Sequence, residues 1–281
     1  MRKIVNHLPT LVLVIGAVLM VLPFVFMLST SLRPISDSVT VPPQWFPKTV
    51  DWTNYATLAS QQYPVFQFLQ NSLLVSVLST LGIVVCSCLA GYAFAKFDFR
   101  FREPLFALLL ASLMVHIQVM IVPLYWIMQQ LNLMNSLWSL IVPALVGAFA
   151  PGIQGAFGIF MMRQFFRGTP NALLEASAID GAGPIRSFYT IALPLAKPAI
   201  ASLALIVFIM SWNDYFSPLV FLNSVDSMTL PVGIQALRPP FGQGSTLVMA
   251  AVSMAIIPVL ILFVFGQRWI VEGFVRSGLN E

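Results

Sequence analysis

Charge is what this sequence has least of. Of its 281 residues, 14 are Lys or Arg and 10 are Asp or Glu, 9% in all, while apolar types make up 58%. Soluble domains are roughly a quarter charged, and one core cannot hide so large an apolar share from water. Lipid is therefore the solvent. Histidine is scarcer still: His7 and His116 lie far apart with no carboxylate-rich neighbourhood, so metal or triad chemistry lacks material. The two cysteines, Cys86 and Cys88, sit inside one apolar run. Two positions apart on a helix they point to different faces, and they read as inert buried thiols. Lysine occurs only at Lys3, Lys48, Lys96 and Lys197, after Arg2, Pro47, Ala95 and Ala196. A phosphate-cradling P-loop needs glycine before its lysine, so none of these qualifies and no catalysis is expected within the chain.

Long apolar runs, by contrast, are plentiful. A spanning helix needs about 20 mainly apolar residues, and six runs qualify: Leu8–Leu28, Ser72–Ala95, Pro104–Met128, Leu137–Phe160, Ala199–Leu222 and Leu247–Trp269. Their length and their Leu, Ala and Met content exclude closed β-barrel strands. The expectation is an all-α, polytopic membrane bundle of six transmembrane helices, in one domain over residues 1–281. The first run exceeds a signal-peptide core and no small-x-small cleavage site follows it, so it reads as a retained helix. With the N-terminus cytoplasmic, 11 of the 14 cations fall on the inner side; only Arg33, Lys48 and Arg238 fall outside. The positive-inside rule then puts both termini in the cytoplasm. The basic balance follows from this bias and gives no argument for nucleic acid.

Between the first two runs lies an external, proline-punctuated segment. Its Trp45, Trp52, Tyr55, Tyr63, Phe66 and Phe68 suit the headgroup level, where a ring has one wet edge and one dry one, or a docking surface for an external partner. The fourth run carries Gly147, Pro151, Gly152, Gly155 and Gly158. Small residues at such spacing let helices approach closely in lipid, and Pro151 should kink the helix, as Pro123, Pro143 and Pro258 should elsewhere. A second external segment, about 223–246, reads as an ordered loop or short re-entrant element.

One stretch breaks the apolar pattern, "LLEASAIDGAGPIRSFYTIALPLAKP" at 173–198. Thr169 is placed as an N-cap with Pro170 at the first helical position. "NALLEASAID" then continues a helix that Gly181 ends in a left-handed cap, and Arg186 to Ile191 makes a second short helix closed by Pro194. Leu173, Ala176 and Asp180 share one side. Small Ala176, Ser177 and Ala178 keep the surface narrow enough to enter a groove, where Leu173 and Leu174 would bury about 1.5–3 kcal/mol each. The other reading, a helix flat on the inner leaflet, fits poorly with an acidic polar face.

Glu175-Ala176-Ser177, three residues, Gly181, nine residues, then Ile191-x-Leu193-Pro194 resembles the EAA loop of bacterial ABC importer permeases. The longer run is similar to the maltose-type sugar permeases. "NSLLVS" (71–76), "GYAFAKFDF" (91–99), "VPLYWIM" (122–128), "SWNDYFSPL" (211–219) and "QRWIVEG" (267–273) carry that likeness along nearly the whole chain. It departs at Ser177, usually alanine, and at "FVRSGLNE", which replaces a small-residue tail ending in Lys-Gly. The resemblance implies a cytoplasmic coupling loop at about 161–198. In it Leu173, Leu174, Glu175, Ala176, Ser177, Asp180 and Gly181 seat in a cleft of an ATPase subunit. It implies a second homologous permease, an ATPase dimer that binds ATP and magnesium, an external solute-binding protein, and a bacterial inner-membrane location. No cofactor is expected in this chain. Glycerol phosphate or a polyol in place of a sugar, and a stand-alone secondary carrier, are the competing readings.

Polar residues within spans are costly in lipid and mark a pathway. Asn213 and Asp214, beside Trp212, are the first choice, and His116 and Gln118 the second. Such groups would bond sugar hydroxyls, with Trp212 or Tyr215 stacking on a ring. The plainer alternative pairs Asn213 and Asp214 with a neighbouring subunit or with the following loop.

Overall fold

The computed structural model describes residues 8–37, 45–60, 64–146, 154–237 and 245–278, with side chains of the last segment described to Gln267. Among these residues the regular structure is entirely helical. In lipid a chain must satisfy its own backbone, which a helix does locally. The helices are α1 (Leu8–Ser31), α2 (Thr53–Leu58), α3 (Val65–Lys96), α4 (Arg102–Ser112), α5 (Ile117–Gln130), α6 (Trp138–Leu145) and α7 (Gln154–Gly168). There follow α8 (Asn171–Ile179), α9 (Pro184–Leu195, with a π turn at Phe188–Ala192), α10 (Lys197–Trp212), α11 (Phe216–Phe221), α12 (Leu230–Ala236) and α13 (Ser245–Gly278).

Three of these, in α1, α3 and α13, are long and apolar enough to cross a bilayer alone; two bent pairs, counted as one span each, bring the number to five. The third expected span is not one helix. α4 and α5 meet at 102°, and the break lies ahead of Pro123. Leu113, Met114 and Val115 each donate to the carbonyl three residues back, tightening the turn, and His116 then becomes extended. Pro123, Pro143 and Pro258 all lie inside continuing helices. The fifth span is shorter than expected: α10 stops at Asn213, and α11 follows as a separate turn. Of the fourth run, α6 and the start of α7 are seen; Gly147, Pro151 and Gly152 lie outside the described residues.

The chain forms two compact units, residues 1–69 with 232–257, and 70–231 with 258–281. In the first, the apolar stretch of α1 is nowhere buried by the rest of the chain. Its end is tied down by buried Asn54, whose Nδ2 donates to the carbonyls of Ser31 at 2.8 Å and Arg33 at 2.7 Å. Two rings expected at the headgroups serve the fold instead. Phe68 is buried over Gly233, filling the space a Cβ there would need, and the Tyr55 hydroxyl bonds Ser31 Oγ. Trp45, Trp52 and Phe66 are exposed, and Tyr63 lies outside the described residues.

The second unit is built around α3. Ile83, Cys88 and Tyr92 of α3 pack with Met162 and Phe166 of α7, Phe188 of α9, and Leu203 and Val207 of α10. Close approach needs glycine. A Cβ on Gly91 would lie 2.7 Å from Met162 Cβ and 2.9 Å from the Arg163 backbone nitrogen. Without hydrophobic drive between helices in lipid, such backbone proximity supplies the packing. Asn71 Nδ2 donates to the carbonyls of Asp226 and Met228, and Asn135 Oδ1 accepts from the N–H groups of Asn223 and Ser224. These bonds order the loop after α11. The two thiols stay apart: Cys88 is buried, and Cys86 Sγ donates to the Leu145 carbonyl.

Candidate functional site

Two regions carry the residues singled out above. The first is the turn between α8 and α9. Gly181 has φ +80°, the left-handed conformation that costs an L-residue about 1–2 kcal/mol and glycine almost nothing. The backbone N–H of Ala182 donates to Ser177 O, and that of Gly181 to Ala178 O. Together these form a Schellman cap that consumes the last carbonyls of α8. The helix begins one residue later than expected, at Asn171, with Pro170 in the cap position and no side-chain cap. Thr169 Oγ1 instead donates back to Phe165 O. At the far end, α9 starts at Pro184 and runs through Pro194, which therefore closes nothing.

Ser177 also differs from its expected place. It is buried, and its Oγ lies 2.6 Å from Ser187 Oγ while donating to Leu174 O. It joins α8 to α9 and presents nothing outward. Glu175, Ala176 and Asp180 are exposed, Leu173 is 44% exposed, and Leu174 is half-buried. The apolar groups standing farthest out are Ile179 at 87% and Ile185 at 75%, which the helical-side argument passed over. Together with Leu173 they give this turn an apolar tip beside two carboxylates.

Lys96 and Phe188 hold the turn to the bundle, and Arg163 ties down α7, which leads into it. Lys96, the last residue of α3, donates from Nζ to Thr169 O and Asn171 Oδ1, each at 2.7 Å. Buried Arg163 on α7 pairs with Glu103 at 2.9 Å, lies 3.7 Å from the centre of the Phe106 ring, and donates to Phe94 O. Phe188 seats in an aromatic cluster, 4.9 Å from Tyr92 and 6.3 Å from Phe166, centroid to centroid. α9 and α10 then diverge by 74°. The sequence marked Lys96 as an inner-side cation, as a lysine that makes no P-loop and as part of "GYAFAKFDF", and it marked Arg163 only as an inner-side cation; neither was given a role in the turn.

The second region is a cavity of about 40 Å³ in the second unit, bounded by Ser72 and Ser79 of α3, Ser139 of α6, Gln154 of α7, Ser211 of α10, Asp214, and Thr229. It has room for a few waters at most. Asp214 faces it, and its Oδ1 accepts from the backbone N–H groups of Phe216 at 3.1 Å and Ser217 at 3.3 Å, capping α11. Asn213 is exposed, with Nδ2 donating to Ile209 O. Trp212 is buried and stacked on Phe208 at 5.7 Å, so it offers no open face here. His116 and Gln118 are exposed at the bend between α4 and α5 and are not among the cavity residues. Of the five expected pathway residues, the structure therefore brings Asp214 alone to this cavity, among hydroxyls the sequence reading had not picked.

Comparison with known proteins places the whole arrangement. Residues 82–275 match the family described as binding-protein-dependent transport system inner membrane component. The arabinooligosaccharides transport system permease protein AraQ of Halalkalibacterium halodurans is 31% identical, covering 94% of this chain and 92% of its own. The sn-glycerol-3-phosphate transport system permease protein UgpE of Yersinia pestis is 33% identical, covering 95% of each. The sulfoquinovosyl glycerol transport system permease protein SmoH of Agrobacterium fabrum is 32% identical over 92% of this chain and 88% of its own. In fold, the chain resembles a bacterial ABC transporter involved in the import of the acidic polysaccharide alginate, with TM-score 0.79 at 22% identity, covering 95% of this chain and 97% of that one. Sequence and architecture agree: the chain belongs to the binding-protein-dependent transport system inner membrane component family, the multi-pass permeases of ABC importers.

Proposed function

We propose that this chain is one of two homologous permeases in an ATP-driven importer of a carbohydrate. In this reading it has six spans and both termini in the cytoplasm, where 11 of its 14 cations then lie. A cytoplasmic ATPase dimer, holding ATP and magnesium, docks on the turn between α8 and α9. An external solute-binding protein delivers cargo to the opposite side. The observation that carries the reading is the turn itself. A Schellman cap at Gly181 and the Ser177–Ser187 bond shape it from within and Lys96 ties it to α3, while Leu173, Glu175, Ile179 and Ile185 are left to a partner.

A rigid protrusion seated in a cleft transmits motion. Closure of the ATPase dimer around ATP displaces the turn, and α9 passes the displacement to α7, through Phe188 and Phe166, and to α10. Each ligand shifts the bundle between inward- and outward-open forms only by its differential affinity for the two. The arabinooligosaccharide relative supports the carbohydrate class, and the glycerol-phosphate relative supports the alternative cargo. Purification of the tagged chain from its native membrane in mild detergent tests the assembly. Co-purification of an ATPase, a second permease and a solute-binding protein is expected. A chain that came away alone and moved solute without ATP would instead be a carrier.

A further inference from the structure

The cavity beside Asp214 carries a statement about cargo that the family does not make, since relatives bear names of both neutral and anionic solutes. Its polar lining is uniform in kind. Ser72, Ser79, Ser139 and Thr229 bring hydroxyls, Gln154 an amide and Asp214 a carboxylate; no Lys, Arg or His is among the described lining residues. Thr229 is 3% exposed, and its Oγ1 has no hydrogen-bond partner among the described residues. One and two turns from Ser72 along α3, Ser76 Oγ and Thr80 Oγ1 are buried in the same condition. Buried hydroxyls without partners cost free energy, and here they recur along one helix and at one cavity. The Asp214 carboxylate spends Oδ1 on its two backbone donors; neither bond uses Oδ2.

We propose that this cavity is the closed wall of the solute path, built for neutral, hydroxyl-rich cargo. It takes sugar hydroxyls onto Thr229, Ser79, Gln154 and Asp214 Oδ2, and it disfavours phosphate, sulfonate or carboxylate solutes through the Asp214 charge. The inference rests on the importer reading. A hydroxyl both donates and accepts, so it satisfies the lining from either side. Among the described lining residues an anion finds one fixed like charge and no cation. In the closed state the volume of about 40 Å³ admits no sugar ring, so the wall must part during the transport cycle.

The test uses the intact complex in inside-out membrane vesicles, with Ser79→Cys introduced where Cys86 and Cys88 have been replaced by serine. Two methanethiosulfonates of similar size are compared, one ending in a neutral hydroxyethyl group and one in sulfonate, each rate taken relative to a free thiol in solution. During ATP turnover the neutral reagent should modify Ser79→Cys at least about tenfold faster, as expected for a cleft lined by one sign of charge. Adding Asp214→Asn, which keeps the Oδ1 acceptor for the α11 cap, should shrink that ratio several-fold. Equal or faster reaction of the sulfonate, no reaction with either reagent, or a ratio indifferent to Asp214→Asn would overturn the proposal. The same neutral preference without any dependence on ATP would keep the wall and remove the ATP-driven importer reading.

Discussion

The turn between α8 and α9 and the cavity beside Asp214 are built on opposite plans. The turn is local: its helix, cap and return all fall within residues 171–195, and Lys96 and the ring contacts of Phe188 tie it to the rest of the bundle. The cavity is assembled from α3, α6, α7, α10, α11 and the segments before α11 and α12, so its residues are scattered from Ser72 to Thr229. A local, stiff element suits a part that passes force to a partner. A composite wall, each side on a different helix, suits a part that must come apart. The contrast predicts that substitutions in the turn uncouple energy from transport, while substitutions around α3 act on assembly first.

The largest effect should come from Gly91→Val. The methyls would meet Met162 and the Arg163 backbone, which cannot retreat, and overpacking of this kind costs about 1–3 kcal/mol or more. Thermal unfolding in detergent should move down markedly, and an unaltered melting curve would show that α3 and α7 do not press together there. Next is Gly181→Val. Open space surrounds Gly181, so only the left-handed backbone objects, at about 1–2 kcal/mol before β-branching is counted. Transport in proteoliposomes should fall about tenfold, the equivalent of 1.4 kcal/mol, while ATP hydrolysis persists. Gly183→Ala, equally open and without positive φ, is the matched control and should be silent.

A smaller loss is expected from Lys96→Met, which removes two charge-assisted bonds, each of the class worth about 1.5–3 kcal/mol when unscreened. Because Lys96 sits at the surface end of α3, the realised loss should be lower, seen as a several-fold drop in transport per ATP hydrolysed. Lys96→Arg should recover part of it. Full coupling in Lys96→Met would remove this anchor from the mechanism. The mildest change is Ser177→Ala. It deletes the bonds of Ser177 Oγ to Ser187 Oγ and to Leu174 O, each of a class worth about 0.5–1.5 kcal/mol, while Ser187 Oγ keeps its bond to Gly183 O. Uptake should stay within about twofold; a collapse would mean that the serine pair, and not merely small size, sets the angle between α8 and α9.

Much of this was legible before any coordinates. Scarce charge and long apolar runs sufficed for lipid as solvent and helix as the only element, because in hydrocarbon each backbone must bond to itself. The spacing from Glu175 to Pro194 and the glycine at 181 were enough for the turn, since a left-handed cap is a property of a few consecutive residues. Where helix faces meet is another matter. That Ser177 turns inward to Ser187, that Lys96 reaches Thr169, that span three breaks before Pro123, and that Asp214 shares a cavity with Ser72 and Thr229 all depend on residues far apart in the chain. Composition and periodicity carry the solvent and the local geometry; only packing brings distant side chains within bonding distance of one another.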